Sequence, residues 1–284
     1  MVTQAELYER FLALHRRPDG FIMPNPWDAT SALLLKEAGF EALGTSSAAL
    51  ALSLGRIDGR RAVSLGEHLE HARLLGAISG LPINGDLEDG FGPEPSDVEA
   101  TVQAAISAGL AGVGIEDTTA NPDQPIHDFD KAVARIKAAA RVAKGRIVLT
   151  GRTDNFIQGR PDLEDTIRRL TAFAEAGADV LYAPYPTDLD AVRQIVRAVA
   201  PKPFNLVVGT MKETLPWAEV RAAGVKRLSL GGALYTRVMG NLAQAATELM
   251  SGDLQSGAGE KPSTSSGIPF GQLNQKLKAA IGAM

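Results

Sequence analysis

Eight short β-rich runs that alternate with helical patterns predict an α/β protein built as one (β/α)8 barrel, or TIM barrel. Apolar residues recur at helical spacing between the runs, and each β-then-α unit takes about 25–35 residues, the size that a barrel requires. Glycine follows several helical patterns just before the next run, in AGF, AGL, AGA and AGV, where it is expected to end the helix. A doubly wound open sheet is the competing layout.

The predicted elements divide the 284-residue chain into three parts. The strands are expected at 21–23, 42–45, 83–86, 112–116, 147–152, 180–183, 204–207 and 227–230. The helices between them are expected at 29–38, 64–79, 96–108, 128–143, 162–176, 187–199, 213–223 and 232–250. We therefore predict a catalytic barrel over 1–250, a flexible Ser/Gly/Pro-rich linker over 251–269, and a C-terminal helix over 270–284 that docks on the barrel or a partner.

Composition restricts the class of protein and its partners. Apolar residues make up 45% of the chain and charged residues 22%, as in an ordinary globular domain. A formal charge of −4 argues against a nucleic-acid partner, and the apolar runs are too short for a membrane span. The polar N-terminus has no signal core, so a cytoplasmic protein is expected. The absence of cysteine excludes disulfides, thiolate–zinc sites and cysteine nucleophiles.

Acidic residues gather at the predicted carboxyl ends of two neighbouring strands. Asp86 and Glu88 lie in NGDLEDGFG, and Glu116 lies in GIEDTT. Catalytic groups of a barrel come from these strand ends, and several acids facing one pocket repel one another unless a cation is present. A hard divalent ion, Mg²⁺ or Mn²⁺, prefers such oxygen ligands. Each acid, taken alone, is equally consistent with a helix cap or a solvated loop residue.

Other strand ends supply groups suited to a small anionic substrate. Arg152 ends the fifth strand, and its planar guanidinium matches a carboxylate, although it is also placed to pair with Asp154 or Glu116. The turn from Ser46 to Ala48 presents backbone N–H groups to a developing oxyanion. Asn205 lies on the seventh strand. We therefore predict a small-molecule carboxylate as the ligand.

Histidine and tyrosine give weaker signals. His68 and His71 fall in the second predicted helix and are expected on the surface. His127 lies in a polar loop that is a candidate cover for the pocket, and Tyr182 and Tyr185 near the sixth strand are candidate acid/base groups.

The runs PNPWDATSALLLKEAGFEALGTSSAALA, NGDLEDGFG, GLAGVGIEDTT and GRTDNF resemble the isocitrate lyase/phosphoenolpyruvate mutase superfamily in order and spacing over roughly residues 20–250. The resemblance implies a (β/α)8 barrel whose eighth helix is exchanged between the subunits of a homodimer or homotetramer. It implies Asp86 as the direct Mg²⁺ ligand. It also implies Asp58, Glu88 and Glu116 as acids that bind the ion through water or support its shell.

The same resemblance assigns the substrate contacts and shows two departures. Ser46, with the backbone of Ser47 and Ala48, is implied to hold the carboxylate and enolate oxygen of a pyruvate-like unit, and Arg152 to meet the substrate carboxylate. The loop DTTANPDQPIHD lacks the cysteine motif of isocitrate and methylisocitrate lyases. Thr118 stands where phosphonate-processing members carry lysine. Both conventional reactions are therefore disfavoured.

The hypothesis that follows is Mg²⁺-dependent cleavage of a C–C bond, by a decarboxylase or lyase, in a small α-keto or 2-hydroxy di- or tricarboxylic acid through an enolpyruvate-like intermediate. Arg152, Glu116 and Ser46 are its expected catalytic residues. An oxaloacetate-type decarboxylation is favoured, because a retro-aldol lyase requires a positioned base and decarboxylation requires mainly an electron sink. Phosphorus–carbon chemistry on phosphonopyruvate or phosphoenolpyruvate and non-catalytic binding of an α-keto acid are the alternatives.

Overall fold

The computed structural model describes residues 2–59, 61–119, 121–207, 215–253 and 268–282. Eight parallel strands form one sheet in the order β1-β8-β7-β6-β5-β4-β3-β2. The strands are β1 (Phe21–Met23), β2 (Leu43–Gly44), β3 (Ile83–Asp86), β4 (Gly112–Glu116), β5 (Val148–Arg152), β6 (Val180–Tyr182), β7 (Phe204–Val207) and β8 (Arg227–Ser229). The Gly44 N–H donates to the Pro24 carbonyl over 3.0 Å and joins the first two strands. The predicted (β/α)8 barrel is confirmed, and the doubly wound alternative is wrong.

The helices alternate with these strands, as predicted. They are α1 (Gln4–His15), α2 (Ala29–Glu37), α3 (Ser47–Ser53), α4 (Leu65–Ser79), α5 (Pro95–Ser107), α6 (Phe129–Ala143), α7 (Leu163–Ala176), α8 (Leu189–Val199), α9 (Trp217–Ala222), α10 (Ala233–Met250) and α11 (Phe270–Gly282). Helix α3 is a correction, since the sequence was expected to form only a turn after β2. Of the helix predicted from 213 and the linker predicted over 251–269, residues 213–214 and 254–267 lie outside the described residues.

Helix α1 closes the amino-terminal end of the barrel. Phe11 is fully buried against β4, where a Cβ at Gly112 would lie 2.5 Å from the Phe11 ring, so only glycine allows this approach. The Gln4 amide donates to the carbonyls of Leu110 and Arg146, over 2.9 and 2.7 Å. A cavity in the barrel can therefore open only at the opposite end, where the strands terminate.

The last two helices differ from the others in burial. Helix α10 has no buried side chain, and Val238, Leu242 and Leu249 are exposed on it. Helix α11 lies against α2 and α4, with an ion pair between Lys276 and Glu37. Among the described residues, no helix is both long enough and apolar enough to cross a membrane.

Candidate active site

A cavity of about 450 Å³ opens at the carboxyl ends of the strands, where the sequence places its polar residues. Of the predicted site residues, the cavity wall contains Ser46, Ser47, Ala48, Asp58, Asp86, Arg152 and Asn205. Glu88 and Glu116 do not line it and lie behind this wall. None of Asp86, Glu88 and Glu116 caps a helix in the described chain, because other residues occupy those positions. The helix-cap explanation of these acids is therefore wrong.

Asp86 is held in a fixed orientation by two residues that follow β2, Thr45 and Ser47. The backbone N–H and the hydroxyl of Ser47 both donate to Asp86 Oδ2 over 3.0 Å, and Thr45 Oγ1 accepts from the Asp86 N–H over 2.8 Å. Asp86 Oδ1 lies 3.5 Å from an Arg152 nitrogen. The Ser47 N–H therefore serves Asp86. The Ala48 N–H, in contrast, has no hydrogen-bond acceptor among the described residues.

Arg152 lies at the centre of a group of carboxylates. Its Nε and Nη2 donate to the two oxygens of Asp154 over 2.6 and 2.8 Å, and Nη1 lies 2.8 Å from Glu116 Oε1. The pairing that the sequence left open is thus formed with both acids. We name the carboxylates of Asp58, Asp86, Glu116 and Asp154 together with Arg152 the acidic rim. It has four potential negative charges for one guanidinium.

Glu116 is the most strongly perturbed acid of the acidic rim. Burial raises its pKa well above the usual range, Arg152 opposes this, and the Asp154 and Asp86 carboxylates add to the rise. The Thr118 hydroxyl donates to Glu116 Oε2 over 3.0 Å. Two neighbouring acids therefore compete with Glu116 for the positive charge of Arg152.

Asp58 stands at the exposed mouth of the cavity, in the loop after α3. Partial burial and the nearby Asp86 and Glu88 carboxylates raise its pKa. Glu88 itself has a φ of 46°, the left-handed region that side chains rarely adopt, and accepts from the Arg61 N–H over 3.1 Å. This backbone turn directs Glu88 toward α4 and away from the cavity.

His68 corrects the prediction that it lies on the surface. It is 1% exposed, its ring packs on Phe91, and its Nε2 lies 3.4 Å from Glu88 Oε1. His71 is also partly buried and bonds the Trp27 carbonyl through Nε2 over 3.0 Å. Both histidines were misplaced because the face of a helix that meets a folded loop is not visible in helical spacing alone.

The loop after β4 is anchored at both ends. Asp117 accepts from the Thr153 hydroxyl over 2.7 Å and from the Asp154 N–H over 2.9 Å, and it pairs with Arg169 over 3.1 Å. Within the loop, Thr118 and Ile126 form an antiparallel bridge. Asp117 is therefore a structural residue in this arrangement.

The lower wall of the cavity combines the predicted Asn205 with Thr150, Arg227 and Ser229, which were not predicted from the sequence. Arg227 donates to Asn205 Oδ1 over 2.7 Å and to Thr150 Oγ1 over 3.0 Å, and Ser229 accepts from the Asn205 amide over 3.0 Å. We name Thr150, Asn205, Arg227 and Ser229 the cavity floor. The available signal was the period-2 alternation of polar residues on β5, β7 and β8, which places them on one face of each strand.

The acidic rim supplies the oxygen ligands and negative charge that a divalent cation requires. Within the described residues, no three or more carboxylate or imidazole groups are clustered so as to hold a metal by themselves. Mg²⁺ usually keeps several waters and needs only one or two protein carboxylates. Asp86 and Asp58 on the cavity wall, with the carboxylate excess behind them, fit such a hydrated ion.

Fold and site together define a TIM-barrel enzyme with an acidic site at its strand ends. The phosphoenolpyruvate phosphomutase family model matches residues 11–250. The chain belongs to this family, within the isocitrate lyase/phosphoenolpyruvate mutase superfamily of lyases and mutases.

Relatives with assigned reactions extend over most of the chain. The oxaloacetate decarboxylase of Paraburkholderia xenovorans is 29% identical over 252 residues, 84% of this chain and 80% of that protein. The structure of a 2,3-dimethylmalate lyase has a TM-score of 0.82 and 25% identity, covering 98% of this chain and 95% of that one. A solved structure from Burkholderia cenocepacia J2315, assigned only to the lyase/mutase class, has a TM-score of 0.86 and 43% identity, covering 96% and 95%. These relatives support carbon–carbon lyase activity on small carboxylates.

Proposed function

We propose that this protein is a Mg²⁺-dependent carbon–carbon lyase that decarboxylates an oxaloacetate-type α-keto acid through an enolpyruvate-like intermediate. The observation that carries the proposal is the acidic rim, in which three carboxylates lie around the guanidinium of Arg152 and that of Asp58 lies near Asp86, beside a cavity of about 450 Å³. A cavity of this size suits a small acid. Mn²⁺ has the same ligand preference and is the alternative ion.

Asp86 would hold the ion directly, with Asp58 at the cavity mouth and Glu88 and Glu116 supporting its hydration shell. When bound, the cation supplies positive charge opposite a developing enolate oxygen. Ser47 fixes Asp86, and this orientation directs one carboxylate oxygen toward Arg152. Ser46 and Ala48 line the same cavity, and the Ser46 hydroxyl and the Ala48 N–H would bind the carboxylate and enolate oxygen of the substrate.

Decarboxylation is favoured over retro-aldol cleavage by the groups on the wall. Among the described residues that line the cavity, there is no histidine or lysine to act as a base toward a substrate hydroxyl. Burial raises the pKa of Tyr182, so this phenol stays protonated at neutral pH. Loss of CO₂ from a β-keto acid needs no base, only stabilisation of the enolate that remains.

Purified protein with Mg²⁺ and oxaloacetate tests the proposal. We expect pyruvate formation well above the rate with Mg²⁺ alone, and loss of the excess rate on chelation. No turnover above the metal-only rate contradicts the proposal. Cleavage of 2-hydroxy acids instead would identify a lyase, and phosphate release from phosphonopyruvate would favour the phosphorus–carbon chemistry that the family name suggests. Saturable binding with no product across this panel would indicate a binding protein.

The proposed assembly is a homodimer or homotetramer in which α10 is exchanged between subunits. An 18-residue helix with no buried side chain and with Val238, Leu242 and Leu249 exposed presents an apolar stripe that a partner would cover. Light scattering of the wild type and of Leu242→Glu measures this. A monomeric wild type, or a variant with unchanged mass, contradicts the assembly.

A further inference from the structure

The enolate that remains after loss of CO₂ must take up a proton at C3 before it can leave as a keto acid. Side chains that commonly deliver such a proton are histidine, lysine, cysteine, tyrosine and the carboxylic acids. Among these types, the described cavity wall contains only Asp58, Asp86, Tyr182 and Tyr185. The two aspartates belong to the acidic rim, where a cation requires them to be ionised. The two tyrosines are therefore the candidate proton donors.

Tyr182 and Tyr185 differ in their positions. Tyr182 ends β6 and is partly buried, whereas Tyr185 follows the strand and is 50% exposed. The guanidinium carbon of Arg152 lies 5.1 Å from the centroid of the Tyr182 ring, and this cation–π contact holds the ring beside the acidic rim. No described residue forms a hydrogen bond with the Tyr182 hydroxyl. This hydroxyl is therefore available to a ligand in the cavity.

The register of the sheet places Tyr182 between the two arginines of the cavity. Arg152 on β5 pairs in register with Tyr182 on β6. Tyr182 pairs with Asn205 on β7, and Asn205 pairs with Arg227 on β8. All four side chains line the cavity, and neighbouring strands lie about 4.8 Å apart. They therefore form one row across four strands, in which Asn205 accepts from Arg227 Nε over 2.7 Å.

This row supplies the positive charge that a phenolate would need. Burial lowers the pKa of Arg227 to about 9, which leaves it charged at neutral pH, and the two groups are close enough for Tyr182 to oppose this fall. Arg227 Nη1 lies 3.3 Å from His15 Nε2. Burial and the Arg227 charge lower the pKa of His15 to about 3, so this ring is neutral. Arg152 and Arg227 would thus both stabilise a negative charge on the Tyr182 oxygen.

We propose that Tyr182 is the catalytic residue that protonates the enolate at C3. This assignment rests on the proposed function. Loss of CO₂ breaks the C3–C4 bond and leaves its electron pair in the enolate. The carbonyl at C2 then re-forms, C3 takes the proton of Tyr182 Oη as the O–H bond breaks, and the phenolate regains a proton from water at the cavity mouth. One proton from solvent is consumed in each turnover.

Delivery of the proton by one side chain has a stereochemical consequence. Tyr182 approaches a bound, planar enolate from the β6 side of the cavity, so only one face of C3 receives the proton. Free enol in solution takes up a proton on both faces. Burial raises the pKa of Tyr182, so the resting phenol carries the proton that it must give.

Enolpyruvate, released from phosphoenolpyruvate by an added phosphatase, tests proton delivery without decarboxylation. NMR in D₂O with Mg²⁺ follows its conversion into pyruvate. The wild type should accelerate this step, and Tyr182→Phe, which keeps the ring beside Arg152, should reduce the protein-dependent rate at least about 100-fold. Tyr8→Phe removes the same hydroxyl at the closed end of the barrel and should behave as the wild type does. No acceleration by the wild type overturns the proposal.

The face of protonation gives a readout that a merely structural role of Tyr182 would not change. The enol released from (Z)-phosphoenol-2-oxobutyrate has two distinguishable faces at C3. In D₂O the wild type should add deuterium to one face, and Tyr182→Phe to both, as judged by NMR after reduction to 2-hydroxybutyrate. Deuterium on both faces with the wild type, or on one face with folded Tyr182→Phe, overturns the proposal.

Tyr185→Phe decides if Tyr182→Phe does not fold. Retention of the single face in Tyr185→Phe supports Tyr182 as the donor, and its loss overturns the proposal. Protonation on one face by the wild type without oxaloacetate turnover would contradict the proposed reaction and support the role of Tyr182. Oxaloacetate turnover with unchanged enol protonation in Tyr182→Phe would do the reverse.

Discussion

The acidic rim and the cavity floor differ in the partners that they give to an arginine. At the rim, Arg152 is in contact with the carboxylates of Asp154 and Glu116, and negative charge exceeds positive charge. At the floor, Arg227 has only neutral partners. One cavity therefore has a negatively charged rim suited to a cation and a positively charged floor suited to an anion. The charge that the protein leaves unbalanced in each region thus indicates the charge of the ligand that the region suits.

Removing the charge of Asp86 tests the acidic rim, and we expect it to have the largest effect on Mg²⁺ affinity and kcat/KM. Asp86→Asn keeps an oxygen for Ser47 but weakens cation binding, so Mg²⁺ affinity and kcat/KM should fall at least about 100-fold. Calorimetric Mg²⁺ titration, kinetics and the melting temperature measure this. Glu99→Gln, which removes an acid from the outer helix α5, should leave all three unchanged. Full Mg²⁺ affinity in Asp86→Asn would show that the ligand assignment is wrong.

A methyl group beneath the floor tests how tightly α1 supports it. Gly112→Ala would place a Cβ 2.5 Å from Phe11 Cε1 and 2.6 Å from Asn84 Oδ1, which should lower the free energy of unfolding by about 1–3 kcal/mol. Gly114→Ala, two residues further along β4, meets nothing closer than the Gly85 carbonyl at 3.8 Å and is the matched control. Urea unfolding measures both. Equal losses would contradict the packing described for α1.

The neutral His15 predicts a pH-dependent effect at the floor. Its folded pKa of about 3 is below the unfolded value of 6.5, so the unfolded chain takes up a proton that the folded chain does not. The contribution of the neutral His15 to the free energy of unfolding is therefore complete above pH 6.5. It is lost as the pH falls toward 3, by up to about 1.4 kcal/mol per pH unit. In His15→Gln, the free energy of unfolding measured with denaturant should depend less on pH over this range. Parallel profiles for the two proteins would exclude His15 as the cause.

Much of the fold could be predicted from the sequence, because helix and strand periodicity are local properties. The structure has β1, β3, β4 and β7 at the predicted bounds. Helix α3 could not be predicted in this way, because its seven residues are too few for a clear period. The Asp86 environment was only partly foreseen. Its position at a strand end was visible, but its hydrogen bonds to Ser47, 39 residues earlier, depend on the pairing of β2 with β3.

By itself, the sequence determined the alternation of eight strands with helices and the acids and Arg152 at their carboxyl ends. These features follow from spacing along the chain and from the rule that parallel strands of a barrel end on one face. Only the tertiary structure decided that Arg227 meets Thr150, 77 residues earlier, and His15, 212 residues earlier. Ring closure sets which inward residues of different strands share a depth, and no local pattern records that depth.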